Sequence, residues 1–471
     1  MKFQFVPVTF RLVLVVGWLY GQGLHASDWP QFRGTNGSGV SQARNLLVEF
    51  GPNRNVVWKI NVPAGLSSPI LAGNRLFLTA HEDKKRLVLC LNRQTGKVLW
   101  QREIMTDRTE PRHVLNDPTS PSPVTDGESV YAFFPEFGLI SYGSDGKERW
   151  RVPLGPFETQ HGMSGSPILA DGQVVLLVDQ IKGSYLAAFN KADGSLKWKS
   201  MRPDLAGGYS TPVVYRGAIG PAQVIVSGAR ELASYSAGTG EKLWWLNGLP
   251  YLQLTVPVLD RDTIYVNVSG IPTDLSLEGW FQQLDKNKDG KIQLDEFPTM
   301  MGGTRTGTIL DRDKDGAVDA TEFKLAIDPL KGESSLWAVR LGGWGSLAEA
   351  NVRWRATKGL PEVSSPLLYK DVLYQVKNGG ILTTLNPATG EVLKQGRLQG
   401  ALGEYFASPV AADNQVFTVS GEGKVTVLKA GGEWEILAVN DLGEDCYTTP
   451  AITGGRIYIR TRSSLYSFGK R

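Results

Sequence analysis

The chain has 471 residues, including 54 glycines and 26 prolines, and 41% of its residues are hydrophobic. This composition suits an all-β fold with many turns and a sizeable core. The formal charge of +3 is too small to indicate a nucleic-acid partner.

Residues 1–26 have the features of a cleaved secretory signal peptide. Lys2 and Arg11 precede the apolar stretch LVLVVGWLYGQGLHA, which is too short to span a bilayer comfortably. The segment ends at Ala26, although Leu24 is larger than the residue usual at that place in a cleavage site. No cysteine follows it to carry a lipid. We therefore expect a periplasmic or secreted protein without a transmembrane segment.

Two segments follow before the repeats begin. Residues 28–41, DWPQFRGTNGSGVS, are rich in glycine and polar residues and are expected to form an extended lead-in. Residues 56–60, VVWKI, have the pattern of the second arm of a hairpin whose first arm is missing.

The stretch LVLCLNRQTGKVLW, residues 87–100, predicts a β-hairpin. Apolar side chains alternate on both arms, and Gly96 supplies the positive φ of the turn. Four similar phrases occur at residues 140–150, 187–198, 233–244 and 383–394. The chain is therefore a repeat protein.

A second marker, a residue followed by proline and apolar residues, recurs eight times. Its prolines are Pro69, Pro123, Pro167, Pro212, Pro257, Pro366, Pro409 and Pro450. Each unit contains four expected strands, and eight such units predict an eight-bladed β-propeller rather than tandem sandwiches. The last unit is one strand short, and VVWKI supplies that strand, so the N-terminal strand closes the ring.

Six tryptophans fall near the ends of the fourth strands: Trp58, Trp100, Trp150, Trp198, Trp244 and Trp354. We expect them to pack between adjacent blades rather than to bind a ligand. In the sixth unit Lys394 takes the place of the tryptophan, so that junction should be packed differently.

These units resemble the quinoprotein-type, PQQ-like propeller repeat with its Asn-x-x-Thr-Gly-x-x-x-Trp phrase. The opening WPQFRG resembles secreted bacterial members of that family, and the resemblance covers nearly all of residues 28–471. Dehydrogenases of this fold hold a quinone over the central channel, with a catalytic Asp and with a Ca²⁺ that Glu and Asn bind. The resemblance implies these roles for residues of this chain. No residue of this chain can be matched to those roles, so PQQ is a conceivable cofactor without supporting residues.

The prolines of units five and six are 109 residues apart because of an insertion at 273–334, which separates propeller residues 27–272 from 335–471. Two segments of it, DKNKDGKIQLDE (285–296) and DRDKDGAVDATE (311–322), fit the calcium-loop pattern and resemble EF-hands.

Alternate positions of such a loop direct hard oxygen ligands at one Ca²⁺. The predicted ligands of the first loop are Asp285, Asn287, Asp289, the Lys291 carbonyl, Gln293 and Glu296. Those of the second loop are Asp311, Asp313, Asp315, the Ala317 carbonyl, Asp319 and Glu322. The second loop has more carboxylates and should bind Ca²⁺ more tightly.

The sequence between the two loops, FPTMMGGTRTGTIL, is too short and too rich in glycine for two full helices. The predicted fold is therefore all-β, with a small α-helical EF-hand-like calcium-binding insertion whose inner helices are shortened. We expect its two Ca²⁺ ions to be structural rather than to operate a switch that opens.

Propeller topology places the loops between strands two and three on the same face as the loops between blades. The calcium insertion belongs to this loop face, where a protein or small-molecule ligand is expected. Charged and histidine side chains predicted there are His81, Arg112, His113, Glu136, Glu158, His161, Arg230, Glu404, Glu422, Glu444 and Arg462.

The sequence leaves several functional questions open. A disulfide between Cys90 and Cys446, the only cysteines, is neither required nor excluded. The first functional hypothesis is an extracytoplasmic calcium-binding scaffold without catalytic residues. The alternatives are a PQQ-dependent dehydrogenase of an alcohol or sugar, and a scaffold in outer-membrane protein assembly, which the missing lipid-attachment cysteine disfavours.

Overall fold

The computed structural model describes residues 28–203, 208–228, 230–249, 252–270, 274–298 and 303–470. The predicted signal peptide, residues 1–26, lies outside these ranges. Within them, eight sheets of at least four strands form a closed ring of blades. The prediction of an eight-bladed propeller is confirmed.

The first half of the ring consists of blades 1 to 4. Blade 1 contains β2 (Ile70–Ala72), β3 (Arg75–Glu82), β4 (Lys85–Asn92) and β5 (Val98–Met105), and blade 2 contains β6 (Val124–Thr125), β7 (Ser129–Phe134), β8 (Gly138–Gly143) and β9 (Glu148–Pro153). Blade 3 contains β10 (Ile168–Ala170), β11 (Gln173–Val178), β12 (Tyr185–Asn190) and β13 (Leu196–Met201). Blade 4 contains β14 (Val213–Tyr215), β15 (Gln223–Gly228), β16 (Arg230–Ser236), β17 (Lys242–Leu249) and a fifth, parallel strand, β23 (Gly345–Ser346).

Blades 5 to 8 complete the ring. Blade 5 contains β18 (Val258–Asp260), β19 (Thr263–Val268), β22 (Ser335–Arg340) and β24 (Val352–Ala356), and blade 6 contains β25 (Leu367–Tyr369), β26 (Val372–Lys377), β27 (Ile381–Leu385) and β28 (Val392–Arg397). Blade 7 contains β29 (Val410–Ala412), β30 (Gln415–Val419), β31 (Lys424–Lys429) and β32 (Glu435–Asp441). Blade 8 contains β33 (Ala451–Thr453), β34 (Arg456–Arg460), β35 (Ser464–Gly469) and β1 (Val56–Asn61).

The ring is closed by pairing between the two ends of the chain. Strand β1 lies antiparallel to β35, with Lys59 opposite Tyr466 and Ile60 opposite Leu465. The predicted N-terminal closing strand is therefore confirmed. A propeller closed in this way cannot open at blade 8 without breaking a full strand pairing.

Burial along the strands explains the repeated sequence pattern. Strands β8 and β11 are buried at every position because neighbouring blades cover both of their faces. The outer strands β9 and β13 are mostly exposed, and one tryptophan on each, Trp150 or Trp198, is buried. Continuous apolar runs thus mark the inner strands, and a single buried aromatic marks the edge.

The tryptophan and glycine of the repeated phrase meet between neighbouring blades. A Cβ on Gly96, where φ is 73°, would lie 2.7 Å from the Trp58 ring, so only glycine fits beneath it. The Trp58 indole N–H donates to the Arg93 carbonyl at 3.0 Å. Four further junctions repeat the pair: Trp100–Gly146, Trp150–Gly194, Trp198–Gly240 and Trp354–Gly390. The predicted interblade role of these tryptophans is confirmed.

Three junctions lack this pair, and in one of them, between blades 7 and 8, the outer strand β32 contains no tryptophan. The Trp244 indole N–H donates to Gln223 of its own blade at 3.0 Å. Lys394 stacks its ammonium 4.5 Å from the centre of the Trp434 ring and donates to the Trp434 carbonyl at 2.7 Å. A cation–π contact therefore replaces the glycine–tryptophan pair at the junction that the sequence marked as different.

Residues 28–41 are not an extended lead-in, as the sequence suggested, but a floor that crosses the central channel. Trp29 exchanges backbone hydrogen bonds with Leu71 of blade 1. The side-chain amide of Asn36 donates to the Val214 carbonyl of blade 4 and accepts from the Val214 N–H. The fully buried Arg33 donates to the Pro366 carbonyl of blade 6 at 2.6 Å. Burial lowers the Arg33 pKa to about 9.

The insertion folds as a separate compact unit with its own core. Its elements are α1 (Leu277–Leu284), β20 (Lys291–Gln293), a 3₁₀ turn (Leu294–Glu296), α2 (Thr304–Leu310), β21 (Ala317–Asp319), α3 (Ala320–Ile327) and a second 3₁₀ turn (Asp328–Leu330). The longest of these helices have eight residues, far fewer than a bilayer span requires.

Cys90 and Cys446 are separate buried thiols, so the disulfide that the sequence left open is not formed. Burial raises the pKa of both thiols to about 12, which disfavours the reactive thiolate.

Candidate functional site

The two predicted calcium loops have closely matched backbone conformations. In the first, Asp285 accepts from the N–H groups of Asp289 and Gly290 at 3.2 and 3.0 Å. In the second, Asp311 accepts from those of Asp315 and Gly316 at 3.1 and 3.0 Å. The two loops therefore fold around their first carboxylate in the same way.

The glutamate at the end of each loop is turned inward. Glu296 Oε1 accepts from Asn287 N at 3.0 Å, and its Oε2 accepts from Gln293 N at 2.8 Å. Glu322 makes the equivalent bonds to Asp313 N and Asp319 N, at 3.2 and 3.1 Å. Both carboxylates are at most 9% exposed. They lie where a bidentate calcium ligand is needed.

The donor set fits a hard cation best in the second loop. Carboxylate oxygens of Asp311, Asp313 and Asp315 lie within 4.8 Å of one another. Ca²⁺ would be held there by these three, by Asp319 and Glu322, and by the Ala317 carbonyl. In the first loop Asn287 replaces one carboxylate, and the corresponding ligands are Asp285, Asp289, Gln293, Glu296 and the Lys291 carbonyl.

A cation of the first loop already reaches the second one. Lys291 Nζ pairs with Asp315, and this contact, more than any other, lowers the pKa of the Asp315 carboxyl. The pKa of Asp289 is likewise lowered, chiefly by the hydrogen bond from Lys291 N. Both effects favour the ionised form that calcium requires.

The inner helices are shortened, as the sequence predicted. The three-residue 3₁₀ turn replaces the helix after the first loop, and α2 has only seven residues. Ile292 and Val318 pair between β20 and β21, and both are fully buried. Phe281 and Phe323 pack in the same core with ring centroids 5.7 Å apart. The loops are thus joined through a rigid, packed centre.

The loop face opens into the central channel through a cavity of about 400 Å³, here called the mouth cavity. Its apolar walls come from the loops between blades and include Leu66, Leu115, Leu252, Leu254, Val363 and Phe406. Phe32, from the floor segment that crosses the channel, also lines the cavity.

Below the walls, a ring of hydroxyl groups encircles the channel. The residue before each marker proline donates its backbone N–H to the hydroxyl of the equivalent residue in the next blade, at 2.9–3.0 Å. The eight residues are Ser68, Ser122, Ser166, Thr211, Val256, Ser365, Ser408 and Thr449. Val256 has no hydroxyl, so seven of the eight junctions carry this bond.

Two histidines form one side of the mouth cavity. The His113 and His161 rings meet edge to face, with centroids 5.7 Å apart, and Tyr209 lies 5.7 Å from His161. Burial, and then the neighbouring His113, lowers the pKa of His161 to about 4. His161 is therefore neutral at physiological pH. Asn116 donates to the His161 carbonyl at 2.8 Å and fixes the two loops together.

The other predicted loop-face residues have varied surroundings. His81 and Arg462 line an adjoining cavity of about 290 Å³, where His81 Nε2 lies 3.7 Å from Asp117. Glu136 is buried between Arg86 and Arg112, whose hydrogen bonds outweigh the effect of burial and lower its pKa.

Four residues of this set remain near the solvent or the edge of the face. Glu404 and Glu422 are exposed beside Tyr447, and Glu158 is exposed in its loop. Arg230 begins β16 and is partly buried. Glu444 instead accepts from the Thr461 hydroxyl at 2.8 Å, so its carboxylate has a structural role in holding the neighbouring loop.

Sequence reasoning did not identify the aromatic side chains Tyr209, Phe406 and Tyr447 as part of the site. They lie in loops of irregular length, where no spacing distinguishes them. The hydroxyl ring did leave a signal, because Ser or Thr precedes proline in seven of the eight repeat markers. Each hydroxyl accepts a bond from another blade, which the periodicity of one repeat cannot reveal.

The mouth cavity does not fit the quinone of the dehydrogenases that share this fold. Its described lining contains one carboxylate, Glu362, and neither lysine nor arginine. The carboxylates of PQQ would enter a largely apolar site without a cationic partner, at a high desolvation cost.

The calcium module also reaches the rim of the mouth cavity. Thr306, in α2, is 7% exposed, and its hydroxyl lies 3.5 Å from the Gln160 side-chain amide. Gln160 directly precedes His161, and α2 ends where Asp311, the first ligand of the second loop, caps it. A single short helix thus separates a calcium ligand from the wall of the cavity.

Comparison with protein-family models gives two matches. The model described as outer membrane protein assembly factor BamB matches residues 38–162, 84–244, 142–279 and 342–470, well over half of the chain. The model described as EF hand matches residues 277–301 and 309–326. Comparison with curated proteins gives no match.

Solved structures share the fold at low sequence identity. BamB from Moraxella catarrhalis is 13% identical with a TM-score of 0.58, over 88% of this chain and 97% of that one. Quinohemoprotein alcohol dehydrogenase from Comamonas testosteroni is 12% identical with a TM-score of 0.60, over 96% and 82%. A europium-containing methanol dehydrogenase is 10% identical with a TM-score of 0.60, over 95% and 98%. At these identities the likeness concerns the fold alone.

Proposed function

This chain belongs to the family described as outer membrane protein assembly factor BamB, with PQQ-like repeats and an EF-hand insertion, and on that premise we propose that it is an extracytoplasmic protein-binding scaffold. Its partner inserts an uncharged, apolar or aromatic side chain into the mouth cavity. Two Ca²⁺ ions, bound by the predicted ligands of both loops, stabilise the module at the rim.

The observation that carries this proposal is the chemistry of the mouth cavity. Its walls, which include Phe32, are apolar and aromatic, and the ring of hydroxyl groups below them is already engaged in hydrogen bonds. Neutral His161 adds a polar edge without charge. Such a pocket binds an apolar group by burial, whereas a charged group would lose its hydration without compensation.

The family's description supports a protein partner over a small metabolite. Assembly of outer-membrane proteins is the specific form of scaffold activity that this description suggests, and it requires an extracytoplasmic location, as the predicted signal peptide at 1–26 does. We likewise propose 273–334 as the boundaries of the calcium module between propeller residues 27–272 and 335–471.

Selection of peptides from a random displayed library against the full chain, with Ca²⁺ present, tests the proposal. Selected peptides should share a large aliphatic or aromatic residue. Fluorescence anisotropy should show at least tenfold weaker binding to Leu254→Arg, which places a cation in the cavity wall. Leu196→Arg is the matched control, because Leu196 is 55% exposed on the outer strand of blade 3. Peptides that bind Leu254→Arg as well as the unaltered protein would contradict this site.

Reconstitution with PQQ and Ca²⁺ separates the proposal from the dehydrogenase hypothesis. We expect neither a bound chromophore nor dye reduction with a panel of alcohols and sugars, since the described cavity lining offers no cation for the cofactor's carboxylates. A stoichiometric chromophore displaced by Leu254→Arg would favour the enzyme.

A further inference from the structure

A second concave site lies on the face opposite the mouth cavity, where blade 8 meets blade 1. It has a volume of about 630 Å³ and contains four cationic side chains: Arg44, Arg93, Arg456 and Lys470. Its lining includes no carboxylate, and among the described residues none of the four cations has an acidic partner within 4.0 Å. We call it the closure site.

The junction of blades 2 and 3 shows what is missing from the closure site. There Lys191, directly after the turn residue Asn190, pairs with Asp126 of the preceding blade at 2.8 Å. Arg93 occupies the same place after Asn92, and the preceding blade contributes Ile452-Thr453-Gly454 where blade 2 has Thr125-Asp126-Gly127. Thr453 therefore stands where the neutralising aspartate stands in the other junction, and it offers Arg93 a neutral hydroxyl in place of a carboxylate.

Two further contacts confirm that these junctions correspond. The indole N–H groups of Trp58 and Trp150 donate to the carbonyls of Arg93 and Lys191, at 3.0 and 2.9 Å. Tyr131 bonds to Asp126, and the equivalent Tyr458 accepts from Arg93 Nε at 3.2 Å. The two frameworks match, and only the carboxylate is absent.

The Arg93 guanidinium is held in place entirely by neutral groups. It donates to the Gly73 carbonyl and the Thr453 hydroxyl, each at 3.0 Å, and Arg93 is only 9% exposed. Arg456 lies beside it and donates to the Gln94 carbonyl at 3.3 Å. A largely buried cation that shares one cavity with three others is unfavourable without an anion.

We propose that the closure site binds a phosphate group, which takes the place of the missing aspartate. A phosphate offers several strong acceptor oxygens and up to two negative charges, which suit converging arginines. The shared chemistry is a phosphomonoester or inorganic phosphate, and its source is either a soluble molecule or a lipid headgroup at the membrane surface.

The most direct test is Gly454→Asp, which places a carboxylate beside Arg93. The backbone accepts this change, since Gly454 has φ 59° and Asp171 occupies the corresponding turn position of blade 3 with φ 46°. An added Cβ meets Arg93 Nη2 at 2.3 Å, but this is the movable end of a long side chain. We expect phosphate affinity to fall at least tenfold while the thermal unfolding midpoint in phosphate-free buffer is retained.

Isothermal titration with inorganic phosphate at constant ionic strength provides the first measurement. Arg456→Gln is the second variant and should also weaken binding at least tenfold, which keeps the test decisive if Gly454→Asp folds poorly. Arg216→Gln is the control, because Arg216 lies on the same face in blade 4 but pairs with Asp171 at 3.0 Å.

Co-sedimentation with phosphatidylcholine vesicles, with and without phosphatidic acid, provides the second measurement. Saturable binding of free phosphate that both variants lose assigns a soluble source. Binding only to vesicles with phosphatidic acid, again lost in both variants, assigns the lipid source. No binding in either assay, or binding that Gly454→Asp and Arg456→Gln leave unchanged, overturns the proposal.

Discussion

Replacing Ser408 by alanine is expected to lower the free energy of unfolding by about 1–3 kcal/mol. Ser408 Oγ accepts the backbone N–H of Ser365 at 3.0 Å, and both residues are only 2% exposed. Alanine removes the acceptor and leaves that N–H buried without a partner. The cost is therefore the desolvation of an amide rather than the net value of one hydrogen bond, which is smaller.

Urea unfolding followed by tryptophan fluorescence measures this cost. The control is Ser408→Thr, because threonine occupies the same place at Thr211 and Thr449 and accepts the same bond. We expect Ser408→Thr to remain within about 0.5 kcal/mol of the unaltered protein, the range of a mild substitution. If alanine and threonine destabilise equally, or if neither changes the midpoint, the hydroxyl ring does not contribute as described.

Three further results are expected. In calorimetric titrations, Glu322→Gln should abolish the tighter of two Ca²⁺-binding events and Glu296→Gln the weaker, since the second loop has more carboxylates; the opposite order would refute this ranking. Because the pKa of His161 is lowered to about 4, the unfolded chain takes up a proton near pH 6.5 before the folded one does. Stability should therefore fall as the pH drops from about 6.5 to 4, by at most about 1.4 kcal/mol per pH unit, and His161→Gln should remove this component from the pH profile of urea unfolding. Finally, chelation of Ca²⁺ should accelerate hydrogen exchange at Gln160, whose side chain contacts Thr306, while β7 of blade 2 exchanges as before. Equal rates with and without Ca²⁺ at Gln160 would show that the module does not stabilise the rim.

The sequence predicts the ring well because each blade repeats the same local physics. Pro69 and its counterparts mark the innermost strand, and the Gly96–Trp58 contact requires both residues of the hairpin phrase in neighbouring blades. Even the terminal closure follows, since VVWKI has no first arm of its own and the last repeat has no fourth strand, and the two pair as β1 and β35. Periodicity therefore carries information about every contact that is repeated.

Contacts that occur only once in the structure could not be predicted from the repeated sequence pattern. His113, His161 and Tyr209 meet only because three interblade loops converge on the channel axis, and those loops share no motif. The sequence of the opening segment predicts an extended lead-in, because glycine and polar residues dominate it. Its fully buried Arg33 and its bonds to several blades are long-range features that no local pattern encodes.

The irregular features of the propeller are concentrated at the junction of blades 4 and 5, and this helps to explain where the calcium module is inserted. Val256, at the start of blade 5, interrupts the hydroxyl ring, and Trp244 lacks its usual glycine partner. Strand β23, which lies in the connection between β22 and β24 of blade 5, instead pairs in parallel with β17 of blade 4, with Trp244 opposite Gly345. Backbone pairing thus joins blades 4 and 5 in place of the interblade hydroxyl bond and the glycine–tryptophan contact. The loop between β19 and β22 lies on the mouth face, away from that pairing, so it can hold an independently packed module at a modest cost in loop entropy. Blade 5 is consequently the blade whose junction depends least on the repeat, and the one that brings calcium ligands to the rim of the mouth cavity.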